Sequence, residues 1–327
     1  MMRCMAYSQG HIVGRFAPTP SGRMHLGNVF SALLGWLAVR AAGGTMVLRI
    51  EDIDPRAQDR AVADLLMGDL AWLGLDWDEG PTYQSKRTAI YADALARLET
   101  AGLTYPCFCT RAELHAASAP HASDGTYVYQ GTCRGLSPEE VARRSALRAP
   151  ATRLMVPAAD DPAGIITIDD LIYGPHAETL ARDCGDFLVR RSDGVFAYQL
   201  AVVVDDGLSG VNLVVRGRDL LGSAARQTYL ARLLGFAPPS YAHVPLLVAP
   251  DGRRLSKRER DLDLGALHAA SVPAERIVGT LAACIGLVPM GTSASPRDLI
   301  PSFSWEAVRA HRDDIVVDDA FMARLRA

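Results

Sequence analysis

Hydrophobic and polar positions along the chain alternate between short apolar runs and longer segments with helical spacing. Ile12 to Ala17 reads as a short buried strand. A turn rich in Pro, Ser and Gly follows, then Val29 to Ala42 with apolar residues at helical intervals and a Gly43-Gly44 stop. Thr45 to Ile50 is apolar and reads as a second strand. Strand, glycine-marked turn, helix and strand make a βαβ unit, the start of a doubly wound parallel sheet. Gln58 to Leu73 and Lys86 to Ala101 read as amphipathic helices for the outer faces of such a sheet. From Thr104 to about Gly185 the chain is cysteine-bearing, loop-rich and interrupted by Pro and Gly, which reads as an insertion. Regular patterning returns with Asp186 to Val189, Val195 to Asp205 and Asn212 to Val215, then a helix from Leu220 to Leu234 and a strand from His243 to Val248. After Asp261 the pattern is helical to the end, and no internal repeat is visible. The Ala-rich stretch from His115 to Ser123 is expected to be a mobile loop. The expected fold is α/β, with one nucleotide-binding sheet split by an inserted lobe. Residues 12–104 form its first half, 105–185 the insertion, 186–260 the second half and 261–327 a helical C-terminal region.

At 327 residues the chain has room for two or three lobes with real cores. A composition of 49% hydrophobic and 22% charged residues is that of an ordinary soluble protein. The formal net charge of −3 means that any nucleic-acid contact must come from a local basic patch. Arg143, Arg144 and Arg148, and the run Arg253 to Arg260, are such pieces, each readable also as a solvated face. No secretory signal and no run of about 18 apolar residues appears, so a cytoplasmic protein without a membrane partner is expected. Of the six cysteines, Cys107, Cys109 and Cys133 cluster, while Cys4, Cys184 and Cys284 are scattered. In a chain without export signals that clustering favours a metal over disulfides.

Candidate chemistry lies in two short stretches. In the first, Gly22 and Gly27 let backbone approach a ligand at a helix mouth, where free N–H groups and the positive dipole end suit phosphate. His25 and Asn28 stand beside them as donors. Taken alone, the stretch also reads as a glycine-rich βα turn with a capping Asn. In the second, Lys257 sits in a loop able to close over a triphosphate, or is simply a solvated lysine.

Arg15-Phe-Ala-Pro-Thr-Pro-Ser-Gly-Arg-Met-His25-Leu-Gly27-Asn28 resembles the first signature of class I aminoacyl-tRNA synthetases in their glutamyl/glutaminyl form. Arg254-Leu-Ser-Lys257-Arg258 resembles the second. Arg49-Ile-Glu51-Asp52-Ile-Asp54-Pro55, Leu200-Ala-Val-Val-Val-Asp205-Asp206 and Val215-Arg216-Gly-Arg-Asp219-Leu-Leu match in the same order, over about residues 12 to 260. The resemblance implies a class I Rossmann-type catalytic domain that joins glutamate to the α-phosphorus of ATP, with Mg²⁺ accompanying the nucleotide. It implies that His25, Gly27, Asn28 and Lys257 contact ATP, and that His25 and Lys257 act in catalysis. It implies a glutamate pocket made by Arg15, Phe16, Ala17, Pro18, Thr19, Glu51, Tyr198 and Arg216. There the two arginines would take the two carboxylates and Glu51 the amino group, since a planar guanidinium suits a carboxylate. Which arginine takes which carboxylate stays open. The bland readings pair Glu51 with Arg49 or Arg56 and make Arg216 and Tyr198 caps of a sheet edge. Arg254 stands where the family carries lysine; it keeps the charge with a different geometry.

The resemblance also bears on the cysteines. A closed structural zinc site wants four ligands, and the Tyr129-Gln-Gly-Thr-Cys133-Arg run implies Tyr129 as the fourth beside Cys107, Cys109 and Cys133. His115 or His121 would be more usual chemistry, and a metal-free cluster of buried thiols is the other reading. One structural Zn²⁺ per chain is expected. Finally, the segment after Arg258 is short for an anticodon-binding portion, which resembles the truncated glutamyl-Q tRNA(Asp) synthetase family. That resemblance implies tRNA-independent glutamate activation and transfer to queuosine in the anticodon loop of tRNA(Asp), by a monomer whose partners are ATP, L-glutamate and queuosine-bearing tRNA(Asp). The rivals are a minimal glutamyl-tRNA synthetase charging the acceptor end of tRNA(Glu), and a non-catalytic glutamate-binding regulator. The pairing of His25 with Lys257 speaks against the latter.

Overall fold

The computed structural model describes residues 10–116, 128–253, 255 and 263–326. Its first βαβ unit is β1 (Val13–Phe16), α1 (Leu26–Ala41) and β2 (Thr45–Ile50), with β1 parallel to β2 and Val13 opposite Thr45. Helix α1 is apolar nearly all round because it is covered nearly all round: Leu26, Val29, Phe30, Leu33, Leu34, Trp36 and Leu37 are fully buried. Each such side chain stabilises the fold by roughly 1.5–3 kcal/mol. Helix α2 (Arg60–Trp72) leads to β3 (Glu79–Tyr83), parallel to β2, and to α3 (Thr88–Thr100).

The insertion begins with β4 (Thr104–Cys107), α4 (Arg111–Ala116), α5 (Pro138–Ser145) and β5 (Ala151–Leu154). It continues with the hairpin β6 (Ile165–Asp170) and β7 (Gly174–Thr179), then α6 (Leu180–Asp183) and β8 (Phe187–Arg190). The pattern assigned β8 to the second half of the catalytic sheet. It pairs instead antiparallel with β5, which pairs with β4, so it completes the insertion's own sheet. The β6–β7 hairpin turns the other way and is fastened to the catalytic part, where the Leu171 N–H donates to the Tyr241 carbonyl at 2.9 Å. Insertion and sheet are therefore interlaced. The stretch from His115 to Ser123 lies mostly outside the described residues.

Regular α/β order resumes with α7 (Tyr198–Leu208), β9 (Leu213–Gly217), α8 (Leu221–Leu233) and β10 (Ser240–Val244), with β10 parallel to β9. Strand β9 lies beside β1. Asn212 joins the two halves, its N–H donating to the Val13 carbonyl at 3.0 Å and its side-chain oxygen accepting from the Val13 N–H at 2.9 Å. The strands thus run in the order β3, β2, β1, β9, β10, with helices on both faces. The crevice outside the carboxyl ends of β1 and β9 is where an open α/β sheet binds its ligand.

The single strand expected over His243 to Val248 is two. Pro245, with no N–H to give, follows the end of β10, and β11 (Leu247–Val248) joins a different sheet. The C-terminal region is helical as expected, through α9 (Leu264–Ala269), α10 (Ala274–Ala283), α11 (Pro296–Leu299), α12 (Trp305–Ala310) and α13 (Asp319–Arg326). One short strand was not foreseen: β12 (Ile315–Val316), parallel to β11. Ile277, Leu281, Phe321 and Leu325 share one continuous core with Phe30, Leu33 and Trp36 of α1. No described helix is long and apolar enough to cross a membrane.

Candidate active site

A cavity of about 590 Å³ opens at the carboxyl ends of β1, β2 and β9. Its floor is the segment Arg15, Phe16, Ala17, Pro18 and Thr19. His25, Gly27 and Asn28 form one wall; Glu51, Tyr198 and Arg216 form another. Every residue singled out for ATP or glutamate among those described therefore faces one space.

The loop after β1 turns at Gly22, whose φ of 133° suits glycine. Arg23 ties it to α2 by a 2.9 Å bond to buried Asp69. His25 is the N-cap of α1, and among the described residues no side chain caps this helix mouth. The Asn28 N–H turns back to the His25 carbonyl at 2.9 Å, and His25, Gly27 and Asn28 line the cavity where a helix N-terminus suits an anion. Among the described residues a Cβ on Gly27 would meet the ring of His25 alone, at 3.2 Å, so glycine leaves room between that ring and the cavity.

Across the cavity sits a buried charge network that the sequence reading did not assemble. Arg49, at 3% exposure inside an otherwise apolar strand, donates to Asp206 at 2.6 Å and to Glu51 at 3.0 Å. Burial opposes its charge, but Asp206, Glu51 and Asp205 outweigh burial and raise its pKa. The pairing of Glu51 with Arg49 is thus real, and Glu51 faces the cavity as well; Arg56 pairs with Asp54 instead. Burial pushes the Glu51 carboxyl above the usual carboxylate range, against the pull of Arg49 and Arg15. Arg15 is buried, bonds the Val215 carbonyl at 3.3 Å and stands 3.7 Å from Asp206. Burial lowers its pKa, with Asp206 opposing. Tyr198, the first residue of α7, is 37% exposed, and that exposure is toward the cavity it lines.

Arg216, next to the last residue of β9, differs from Arg49 in its partners. Its Nε donates to Nε2 of His243 at 3.0 Å and its terminal nitrogens to Gln227 Oε1 at 2.7 Å and the Leu220 carbonyl at 3.2 Å. Among the described residues no carboxylate stands within ion-pair distance of it. A buried cation ringed by neutral acceptors invites an anionic ligand.

The second signature is only flanked. Arg254, Lys257 and Arg258 lie outside the described residues. Leu255, two positions before Lys257, is buried and lines the cavity. On the far side Asp263 bridges to His25 and the Leu264 N–H donates to the Met24 carbonyl at 3.0 Å. Leu255 and the Asp263–Leu264 segment thus both lie against the cavity or the turn that bears the first signature.

In the lobe, the sulfurs of Cys107, Cys109 and Cys133 lie within 4.8 Å of one another. Those of Cys109 and Cys133 are 3.6 Å apart. Thiolates on one tetrahedral zinc stand about 3.8 Å apart for Zn–S bonds of about 2.3 Å. The Tyr129 hydroxyl is 3.5 Å from the sulfurs of Cys107 and Cys109 and accepts from the Cys133 N–H at 2.8 Å. The donor set fits a metal, with Tyr129 in the fourth place; His121 lies outside the described residues. Burial pushes the Cys109 thiol up to about 11 and raises the Tyr129 phenol as well, so a cation is what would ionise them. One cation is built in: Arg153 lies 3.7 Å over the Tyr129 ring and donates to the Cys107 sulfur at 3.3 Å.

The roles of His243 and Gln227 escaped the sequence reading, while Arg49 and Asp206 entered it only as members of matched motifs, Arg49 also as a possible partner of Glu51. The available signal was a charged residue within an apolar run, which Arg49 and His243 both show. Their partners are distant in sequence and gave none.

Residues 11–290 match the family described as tRNA synthetases class I (E and Q), catalytic domain. A protein of Nitratidesulfovibrio vulgaris strain Hildenborough named glutamyl-Q tRNA(Asp) synthetase is 48% identical over 88% of this chain and 91% of its own. Namesakes from Symbiobacterium thermophilum (48%, covering 96% and 98%) and Nocardia farcinica (44%, covering 94% and 93%) are similar over nearly their whole lengths. Among solved structures, a glutamate tRNA ligase from Elizabethkingia meningosepticum in complex with its amino acid superposes with a TM-score of 0.77. It is 24% identical, with 95% of this chain and 68% of that one covered, a likeness of fold.

Proposed function

The chain belongs to the class I tRNA synthetases of the glutamyl/glutaminyl catalytic family and, within it, to the glutamyl-Q tRNA(Asp) synthetases, and on that premise we propose that it activates L-glutamate with ATP in the absence of tRNA and passes the glutamyl group to queuosine in tRNA(Asp). It is an enzyme of the ligase type. The observation that carries the reading is the convergence of Arg15, Arg216 and Glu51 on a cavity whose opposite wall is the uncapped mouth of α1.

In the first step an oxygen of the glutamate α-carboxylate attacks the α-phosphorus of ATP and pyrophosphate leaves. Arg15 and Arg216 hold the two carboxylates, Glu51 the ammonium, and Tyr198 closes the side. The His25–Asn28 turn receives the nucleotide phosphates on backbone N–H groups, and Lys257 meets the negative charge that grows on the transferring phosphoryl oxygens. Mg²⁺ bound to the incoming ATP would supply charge neutralisation at its phosphates. In the second step a hydroxyl of queuosine attacks the adenylate carbonyl, and AMP leaves. The names of the relatives support this acceptor. Zinc held by Cys107, Cys109, Cys133 and Tyr129 is proposed as a structural ion of the lobe.

Two assays test the reading. Glutamate-dependent pyrophosphate exchange should proceed without tRNA, and Lys257→Ala should lower it at least 100-fold while the chain still folds. Labelled glutamate should pass to tRNA(Asp) bearing queuosine and not to unmodified tRNA(Asp) or tRNA(Glu). Charging of tRNA(Glu) at its acceptor end would replace this reading with a minimal glutamyl-tRNA synthetase.

A further inference from the structure

Beneath the cavity runs a chain of buried polar groups that the proposed chemistry leaves unused. Asp170, the last residue of β6, accepts from the N–H groups of Ile172 and Tyr173 with Oδ1, each at 3.0 Å. Its Oδ2 accepts twice from His243 on β10, from the backbone N–H at 3.0 Å and from Nδ1 at 2.7 Å. Both side chains are fully buried. An ionised carboxylate only accepts, so the imidazole proton is on Nδ1. The lone pair of Nε2 is then left for the Nε–H of Arg216, which can only donate. Two bonds on opposite sides of the ring thus call for the same neutral tautomer.

The other side of the guanidinium is held the same way. Gln227 offers its oxygen to Arg216 because its nitrogen donates to Gln199 at 2.8 Å, and Gln199 donates in turn to Ser223 at 3.2 Å. Acceptors without charge fix the position of Arg216 and leave its positive charge unspent. A carboxylate in the place of His243 would neutralise the charge and would have no proton to give Asp170, whereas the imidazole serves both neighbours without charge.

We propose that Asp170 and His243 are positioning residues for substrate recognition: the inserted hairpin supplies a carboxylate that orients the imidazole, and the imidazole aims an uncompensated Arg216 at a carboxylate of glutamate, setting affinity for glutamate and discrimination against glutamine. The inference rests on the glutamate reading of the cavity. It also gives the hairpin a function at the active site rather than in the lobe.

The test compares wild type, His243→Leu and His243→Gln in glutamate-dependent pyrophosphate exchange, with folding followed by circular dichroism and melting. Leucine removes the acceptor. Glutamine can present its oxygen to Arg216 and its amide to Asp170. His243→Leu should raise the KM for glutamate roughly tenfold or more, leave the KM for ATP within about twofold and shrink the preference for glutamate over glutamine. His243→Gln should recover most of the loss. A folded His243→Leu with an unchanged glutamate KM overturns the inference, as does an equal rise in both KM values. Wild type without glutamate-dependent exchange overturns the glutamate reading and the inference with it. Should His243→Leu not fold, ¹⁵N spectra of wild type labelled in histidine decide: a neutral His243 ring protonated on Nδ1 is expected, and a cationic ring or a proton on Nε2 overturns the inference.

Discussion

Arg49 and Arg216 are both buried arginines near strand ends, and their surroundings assign them opposite duties. Arg49 is matched by Asp206 and Glu51, so its charge is consumed in joining β2 to α7. Arg216 meets an imidazole, an amide and a carbonyl, so its charge remains for a ligand. Arg216→Lys should therefore fail although the charge is kept: an ammonium cannot reach His243, Gln227 and a substrate carboxylate with one planar fork. A rise in glutamate KM of about tenfold to 100-fold is expected in steady-state exchange, with some loss of melting temperature from the buried acceptors left unpaired. His243 also makes a prediction in pH. Burial lowers its pKa below the ordinary 6.5, with Arg216 lowering it further and Asp170 opposing. The unfolded chain thus takes up this proton first, so the stability His243 contributes is complete above about pH 6.5 and is lost as pH falls through that value. Melting temperature should drop between pH 7 and 5, and the drop should be shallower in His243→Gln. Equal slopes would show that His243 is not the group responsible.

At the level of elements, the glycine, histidine and asparagine at the mouth of α1 also fit a plain capped βα turn, and the longer run from Arg15 to Asn28 is what set them apart. Strand β2 was read at its observed bounds and α1 within three residues of them, since long periodic segments declare themselves. Strands β8 and β11 were assigned to the wrong sheet because a four-residue apolar run carries no record of its partner. The open face of Gly27 makes a separable prediction. In Gly27→Ala the new methyl group would stand 3.2 Å from the His25 ring and inside the cavity. The His25 ring must give way slightly, so the melting temperature should change little while the KM for ATP increases severalfold. An unchanged ATP KM would remove the phosphate from the mouth of α1.

Across the whole molecule, the cysteine cluster has its own small core of Tyr105, Phe108 and Tyr129, separate from the core under the cavity. Metal removal should accordingly act locally. Protein made with zinc supplied should carry about one zinc per chain by elemental analysis, as three thiolates and a phenol require. Cys109→Ser or chelation should expose residues 105–155 to limited proteolysis and leave tRNA-independent exchange within a few-fold of wild type. The C-terminal helices behave in the opposite way, since Phe321 and Leu325 share the core of α1 and β12 extends β11 beside the cavity wall. What the sequence by itself carried is the set of candidate groups: the glycine-marked turn at the mouth of α1, the two arginines with Glu51, the thiol cluster and the order in which they occur. Each is carried by residues close in the chain or by residue types that few other roles explain. Only the tertiary structure decided which charges are spent and which are available. That depends on contacts such as Asp170 to His243 and Arg49 to Asp206, between residues far apart in sequence. Burial makes such contacts strong, and although a polar residue inside an apolar run, as at Arg49 and His243, hints at burial, no local pattern names its partner.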